Sequence, residues 1–403
     1  MTTYADPGTG VRPRRNPPGG KPPKGRPKGP NAEKPKRRDP LWAKLCLIIG
    51  SVVMVLSGAV VVLPRIIGAW VEGDLPTQTL VPPKLLGENI DGSINLLMLG
   101  MDERAGNSTE PIRADTIILA HIPASHDKVY LISLPRDAEA PIPDFPKTNF
   151  RGYTEKINAA FAYGARDANG KPDNSPAGRS LGAELTMLTV ANLAPGIKFN
   201  GAAIINFVGF RDVLNAIGGV YMCVDVETRS IHFDNKGKYH TNEVPYSQRR
   251  IYKIGCRNFN PQEALDYARQ RHFDNGDYTR QRHQQQLLMA IFKKLTSSGT
   301  LTDLSKLGEL QKAAKGLLTL DLGQTQLADW AWTLKGISAE DIVMIKTNGG
   351  KITKGNKAGN EAFSPDSLAM LKAVADDTMA AFVATHQDWI TKDTTPNPKS
   401  TTK

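Results

Sequence analysis

Apolar and polar positions change their pattern several times along the chain. Residues 45–63 (LCLIIGSVVMVLSGAVVVL) form one uncharged apolar run without a polar stripe. That is long enough to cross the hydrocarbon core of a bilayer as a helix, and a core helix of this length would show a polar face. Residues 71–90 carry Pro76, Pro82 and Pro83 and little periodicity, which predicts a spacer. Beyond it, 95–100 (NLLMLG), 116–122 (TIILAHI) and 128–134 (KVYLISL) have the length and apolar continuity of sheet strands covered on both faces. Apolar spacings of three and four predict helices over 157–163 and 181–193. Strands follow at 202–206 and 220–226, with a helix near 210–217 between them. Pro261 opens another helix at a favoured first-turn position, and 279–295 continues helical after the polar break FDNGDY. Helices near 305–317 and 327–335, a strand at 342–345 and a helix over 364–386 complete the pattern. No Pro/Gly-rich linker interrupts it and no internal repeat is visible, so residues 91–388 read as one α/β domain.

Composition adds an asymmetry to this picture. The 403 residues are 40% apolar and 23% charged, enough for one large domain or two ordinary ones. The formal net charge is +11, and residues 1–40 hold eleven Lys and Arg against three Asp and Glu, or +8 of it. That segment is rich in Pro and Gly and nearly free of large apolar residues, so it cannot bury enough surface to offset the entropy of ordering. Lys34, Lys36, Arg37, Arg38 and Lys44 crowd the near flank of the apolar run, which places the tail in the cytoplasm and everything after about residue 70 outside. The basic tail suits anionic headgroups. With no small-x-small cleavage site after the run, an uncleaved anchor is expected. The resulting layout is a basic cytoplasmic tail over 1–40, a transmembrane anchor over 41–68, a linker over 69–90, the domain over 91–388 and a polar tail over 389–403. Cys46 lies in the span, while Cys223 and Cys256 lie in the exported part, where pairing is permitted and separate thiols are the alternative.

No zincin His motif, Gly-x-Ser-x-Gly elbow, phosphate-binding Gly-Lys-Ser/Thr loop or dinucleotide Gly fingerprint occurs. The exported part is nearly neutral and has no basic stripe with interleaved aromatics, so no nucleic-acid partner is expected. Asp and Arg residues instead gather at strand ends, where α/β sheets place their sites. Asp102 and Arg104 follow one apolar strand, and Arg113 and Asp115 precede the next. If those strands pair, the two carboxylates approach and suit Mg²⁺ between them, the alternative being ordinary turn aspartates. Arg136 and Asp137 end the third strand. Arg269 and Arg271 share one helix, and Asp277, Arg280 and Gln284 follow in the next. Guanidinium groups grip phosphate oxygens bidentately, so the collection points to a polyanion site. Lys156 begins a helix whose N-terminus points at the same anion if the fold allows it.

Seven blocks carry a resemblance: NLLMLGMDER, RADTIIL, VYLISLPRD, KINAAFAYG, INFVGFRDVLNAIGGVYMCVD, LDYARQR and GDYTRQRHQQQ, in this order. The chain resembles the LytR-CpsA-Psr family of bacterial cell-envelope proteins over about residues 95–290, and the tail, single span and exported domain match that family's layout. The resemblance implies an α/β/α sandwich around a mixed central sheet, preceded by one transmembrane helix. It implies transfer of a glycan phosphate from a polyprenyl pyrophosphate carrier to peptidoglycan, with Mg²⁺ on Asp102 and Asp115. It places Arg104, Arg113, Arg136, Arg269, Arg271, Arg280 and Gln284 around the pyrophosphate, and Lys156 and Asp277 at motif positions. His283 departs from the pattern, since many relatives carry Arg there. The family also has an apolar pocket for the lipid tail, for which 181–193 and 202–224 are candidates, although an ordinary core explains both. The acceptor's proton would go to Asp115, Asp137 or Asp277. Two other functions stay open at this point, a polyprenyl pyrophosphatase and a non-catalytic envelope receptor or regulator.

Overall fold

A computed structural model describes residues 77–101, 111–271, 273, 275, 277–297, 312 and 318–391. The predicted tail, transmembrane span and C-terminal tail beyond Thr391 lie outside these residues, as do Asp102, Arg104 and, apart from Lys312, the helix predicted at 305–317. Among the described residues no helix is long and apolar enough to cross a membrane.

The strands in chain order are β1 (Ile94–Met101), β2 (Ala114–Ile122), β3 (Val129–Leu134), β4 (Glu139–Ile142), β5 (Tyr153–Lys156), β6 (Gly201–Asn206), β7 (Val220–Val224), β8 (Thr228–Asp234), β9 (Arg249–Tyr252), β10 (Gly255–Phe259), β11 (Leu318–Asp321), β12 (Ile342–Lys346) and β13 (Ile390–Thr391). The helices are α1 (Ile157–Gly164), α2 (Pro176–Leu193), α3 (Phe207–Ala216), α4 (Pro261–Arg269), α5 (Tyr278–Ser297), α6 (Leu327–Thr333), α7 (Pro365–Ala375) and α8 (Met379–Thr385).

Seven strands form a mixed sheet in the order β11-β6-β1-β2-β3-β12-β13. β1 runs parallel to β6 and antiparallel to β2, while β3 runs antiparallel to β2 and parallel to β12. The C-terminal ends of β1, β3, β6 and β12 and the N-terminal end of β2 therefore share one edge. Apolar residues cover both faces, as the continuous apolar runs predict. On one face Leu97, Leu99, Met101, Ile117, Leu119 and Ile204 pack against Phe161 of α1, Met187 and Val190 of α2, and Leu371 and Val374 of α7. The other face carries α3, α4 and α5, whose Leu214, Tyr267 and Ile291 join Met222 and Val224 of β7 in a second cluster.

Three differences from the sequence reading matter for the site. Residues 77–90 are not a free spacer: Leu80, Val81 and Ile90 are buried, and the Leu80 and Val81 N–H groups donate to Asp321 Oδ2 at 2.6 and 2.8 Å. The predicted helix over 364–386 divides into α7 and α8 because Asp377 takes a left-handed φ of 56°. The domain also reaches past 388, as Ile390 and Thr391 pair with Ile345 and Met344. The facing positions Cys223 and Cys256 on β7 and β10 are joined as a disulfide.

Candidate active site at the polar edge of the sheet

The strand register assembles the site. Gly100 near the end of β1 faces Thr116 on β2, and Ile117 faces Leu134 at the end of β3, so the segments 113–115 and 135–137 meet at one sheet edge. Gly100 is required there, because a Cβ on it would lie 2.8 Å from the Thr116 Cβ.

Arg136 stands at the centre. Its Nη1 donates to Asp115 Oδ1 at 2.7 Å, and its Nε lies 3.4 Å from Asp137 Oδ2 and 3.9 Å from Asp277 Oδ1. Burial opposes the charged guanidinium, but these three carboxylates outweigh it and raise the pKa above its ordinary value. Arg271 reaches the second Asp115 oxygen, its Nη2 standing 3.3 Å from Oδ2. Arg280, 2% exposed in its side chain, grips Asp277 with Nε and Nη2 at 2.6 and 2.7 Å and donates to the Asp115 carbonyl at 2.8 Å. It thereby ties the start of α5 to the start of β2. Burial would push the Asp277 carboxyl up, yet Arg280 and Arg136 hold it below the usual range. Lys156 Nζ donates to Asp137 Oδ1 at 2.8 Å, and Arg113 Nη1 lies 3.5 Å from Asn158 Oδ1. The result is a lattice of alternating cations and carboxylates on four separate chain segments.

The helix beginning after Lys156 spends its first two N–H groups on the chain itself. The Ile157 N–H donates to the Ala138 carbonyl at 2.8 Å and the Asn158 N–H to the Arg136 carbonyl at 3.2 Å. Those donors position the segment 136–138 and are spent on it.

Beneath this polar edge, between the sheet and α3–α5, lies an apolar cavity of about 180 Å³. Met98, Ala203, Phe210, Leu265, Leu287 and Leu288 contribute apolar walls, while Thr116, Asn206, Arg269 and Gln284 supply polar groups. The Nε2 of Gln284 is buried and has no hydrogen-bond partner among the described residues, an arrangement that costs about 1–3 kcal/mol unless another group satisfies it. Of the two segments considered for an apolar pocket, 202–224 contributes Ala203, Ile205, Asn206 and Phe210. The 181–193 segment does not line it, because α2 packs on the opposite face of the sheet. The lining from α4 and α5 escaped sequence reading because its spacing is that of any amphipathic helix.

His283 belongs to neither cavity nor ion lattice. It is fully buried, stacked on Tyr267 with ring centroids 4.1 Å apart, and its Nε2 lies 2.9 Å from Tyr267 Oη and 3.2 Å from Asp225 Oδ1. Burial holds its pKa below the ordinary value, with Asp225 only partly offsetting that. Glu361 is a further carboxylate that no local motif announces. It accepts from Tyr278 Oη at 2.9 Å, its N–H donates to the Asp137 carbonyl at 2.9 Å, and burial raises its pKa.

The donor chemistry suits a hard cation, since Asp115 presents carboxylate oxygens at the polar edge. Both oxygens are engaged by Arg136 and Arg271, and Asp102 lies outside the described residues. Among the described residues no group of three His, Cys, Asp or Glu side chains forms a cation site.

Comparison with known proteins places this arrangement. The chain is 28% identical over 265 residues to a Bacillus cereus protein named polyisoprenyl-teichoic acid–peptidoglycan teichoic acid transferase TagU, covering 65% of this chain and 71% of the relative. Its fold is similar to the crystal structure of Bacillus subtilis TagV, with TM-score 0.51 and 20% identity over 72% of this chain and 98% of that one. It is likewise similar to a structure of TagT bound to LI-WTA, with TM-score 0.51 and 22% identity over 76% and 97%. The model of the LytR-CpsA-Psr (LytR_cpsA_psr) family matches residues 73–376 and so takes in the central sheet except β13, the cavity and every described residue of the ion lattice, and the chain belongs to that family.

Proposed function

We propose that this chain transfers a glycan phosphate from a polyprenyl pyrophosphate carrier to a hydroxyl of peptidoglycan. The observation that carries the reading is the meeting of two unlike environments at one sheet edge. A lattice centred on Arg136, Arg271 and Arg280 adjoins an apolar cavity whose polar end holds Arg269 and the unsatisfied Gln284. A lipid pyrophosphate has the same two parts. The B. cereus relative is named for transfer of teichoic acid to peptidoglycan, which supports a wall polymer as the transferred group.

In this reading the carrier's first prenyl units enter the cavity among Phe210, Leu265 and Leu287. Arg113, Arg136, Arg269 and Arg271 neutralise the pyrophosphate oxygens, and Arg280 holds the Asp115 backbone in place. The acceptor oxygen attacks the phosphorus that bears the glycan, and the bond from that phosphorus to the bridging oxygen breaks. Polyprenyl phosphate departs with the bond's electron pair. The acceptor's proton passes to a carboxylate of the cluster, and Glu361, which accepts from the Tyr278 hydroxyl, is a better base for it than Asp115, Asp137 or Asp277, whose oxygens are held by guanidinium or ammonium groups. Asp102 and Asp115 would hold Mg²⁺, which when bound supplies further positive charge against the pyrophosphate. The reaction rests on positioning and charge, so the absence of a nucleophile triad from the sequence is consistent with it.

The proposal includes a cytoplasmic tail, a membrane anchor over 41–68 and an extracytoplasmic domain, a topology in which the Cys223–Cys256 disulfide is stable. The test uses the full chain in detergent micelles with a polyprenyl-pyrophosphate-linked glycan, peptidoglycan and Mg²⁺. Covalent glycan on peptidoglycan, lost with a chelator, is the expected result. Glycan phosphate released at the same rate without acceptor would instead identify a pyrophosphatase, and no turnover of either kind would leave a receptor or regulator.

A further inference from the structure

A second concave surface lies beside the ion lattice and plays no part in the chemistry above. Its volume is about 450 Å³, and Phe150, Arg151, Tyr153, Tyr163, Arg166 and Asn169 line it. Phe150 and Tyr163 stack with centroids 4.5 Å apart, and Tyr153 tilts against both at 5.5 and 5.7 Å. Phe150 is buried and anchors the group to the core, whereas Tyr153 leaves 45% of its surface in solvent. An aromatic ring held so openly on a rigid base is a stacking platform.

The charged side chains in the described lining of this platform are both arginines. Arg151 is exposed, and the Arg166 guanidinium lies over the Tyr163 ring at 4.7 Å. The Arg166 Nε is buried and has no hydrogen-bond partner among the described residues, so a charged donor stands unsatisfied beside an aromatic group. The lining includes no carboxylate. The Tyr153 hydroxyl donates to that of Tyr163, and burial together with this bond raises the Tyr153 pKa to about 12, so Tyr153 faces a ligand as a neutral phenol.

The chain connects this surface to the ion lattice twice. Tyr153 begins β5 and Lys156, paired with Asp137, ends it, a span of roughly 10 Å for a strand of this length. Helix α1 runs from Asn158, beside Arg113, to Tyr163, a span of about 8 Å. A ligand seated on Tyr153 therefore lies within a sugar unit or two of the phosphate chemistry.

We infer that the Phe150–Tyr153–Tyr163 surface with Arg151 and Arg166 is a subsite for an anionic glycan, a pyranose whose C–H face stacks on Tyr153 while its carboxylate or phosphate meets the two arginines. The inference rests on the transfer reading above, and the anionic sugar comes either from the peptidoglycan acceptor or from the donor polymer.

The test is titration of the full chain in detergent micelles, observed through the sugar's proton resonances, with two probes. One is the disaccharide of N-acetylglucosamine and N-acetylmuramic acid, which carries a carboxylate, and the other is N-acetylglucosamine 1-phosphate. One of them binds with its ring protons shifted upfield. Tyr153→Ala weakens that binding about tenfold, Tyr153→Phe preserves it, and Arg166→Gln weakens it without removing the ring shift. The probe that responds identifies the acceptor or the donor as the source. Unchanged binding in both Tyr153→Ala and Arg166→Gln, or binding of neither probe at millimolar concentration, overturns the subsite. Arg136→Gln separates this from the transfer reading, because it should remove turnover and leave sugar binding intact. Sugar binding that depends on Tyr153 in a wild-type chain without transfer activity would overturn the transfer reading alone.

Discussion

Replacing Arg136 by Gln tests the centre of the site most directly. The substitution removes the charge, and because the Gln amide reaches only as far as the Arg136 Nε it also removes the Nη1 donor to Asp115. Arg136 touches Asp115 at 2.7 Å and stands 3.4 and 3.9 Å from Asp137 and Asp277, so the change withdraws the one cation shared by three carboxylates. Two consequences follow. A charge-assisted hydrogen bond to Asp115 is lost, which costs about 1.5–3 kcal/mol of stability at neutral pH. The loss shrinks as the pH falls, because protonation relieves Asp277, whose carboxyl Arg280 and Arg136 hold below the usual range. In the reaction, one guanidinium aimed at the pyrophosphate disappears, and a preorganised donor of that kind is worth about 10²–10³ in turnover. The assay is covalent glycan on peptidoglycan under saturating lipid-linked donor, with folding checked by circular dichroism. Arg136→Lys should recover part of the rate through its charge and not the whole, because an ammonium cannot bridge Asp115 and Asp277 as a planar fork does. A folded Arg136→Gln chain that turns over within threefold of wild type would refute the reasoning.

Two further outcomes are expected. Ala203 lines the apolar cavity opposite α4 and α5, so Ala203→Phe should fill it and abolish retention of polyprenyl phosphate by the purified protein, with at most about 1–3 kcal/mol of overpacking cost. Retention of the lipid by a folded variant would place the prenyl chain elsewhere. His121 is fully buried on β2 with Nδ1 2.8 Å from Asn95 Oδ1, and burial lowers its pKa to about 4 despite Asp377 3.2 Å from Nε2. Above pH 6.5 neither the folded nor the unfolded chain holds this proton. Between 6.5 and 4 the unfolded chain alone binds it, so stability falls with pH across that window by up to about 3 kcal/mol. His121→Gln should flatten the chemical-denaturation profile over the same range, and an identical slope in both proteins would exclude His121 as its source.

The strands β1, β2 and β3 could be read from sequence because continuous apolar runs bounded by polar turns admit few other structures. Asp115, Arg136 and Asp277 could be picked out as chemistry because charged side chains directly beside such runs are costly unless they have partners. The short strands β4, β5, β8 and β9 carry weaker patterns, and the break between α7 and α8 depends on one left-handed residue that no periodicity marks. Glu361 was invisible because its neighbours Asp137 and Tyr278 are remote in sequence and only the fold brings them close.

The sequence by itself determined which residues pair as strands, where apolar surface must be covered, and which Asp and Arg residues stand at strand ends, because those follow from local periodicity and the cost of burying charge. Tertiary structure alone decided which partner each charge meets. Arg280 was available to any anion, and the packing of α5 against the sheet gave it to Asp277 and to the Asp115 carbonyl. The first two N–H groups of α1 looked free for a phosphate, and the 136–138 segment took them. The cavity likewise exists only because β1, β2 and β6 present Gly100, Thr116 and Ala203 to helices that come from elsewhere in the chain. Burial and hydrogen-bond satisfaction are properties of whole surroundings, and a one-dimensional pattern specifies them only where the chain packs against itself nearby.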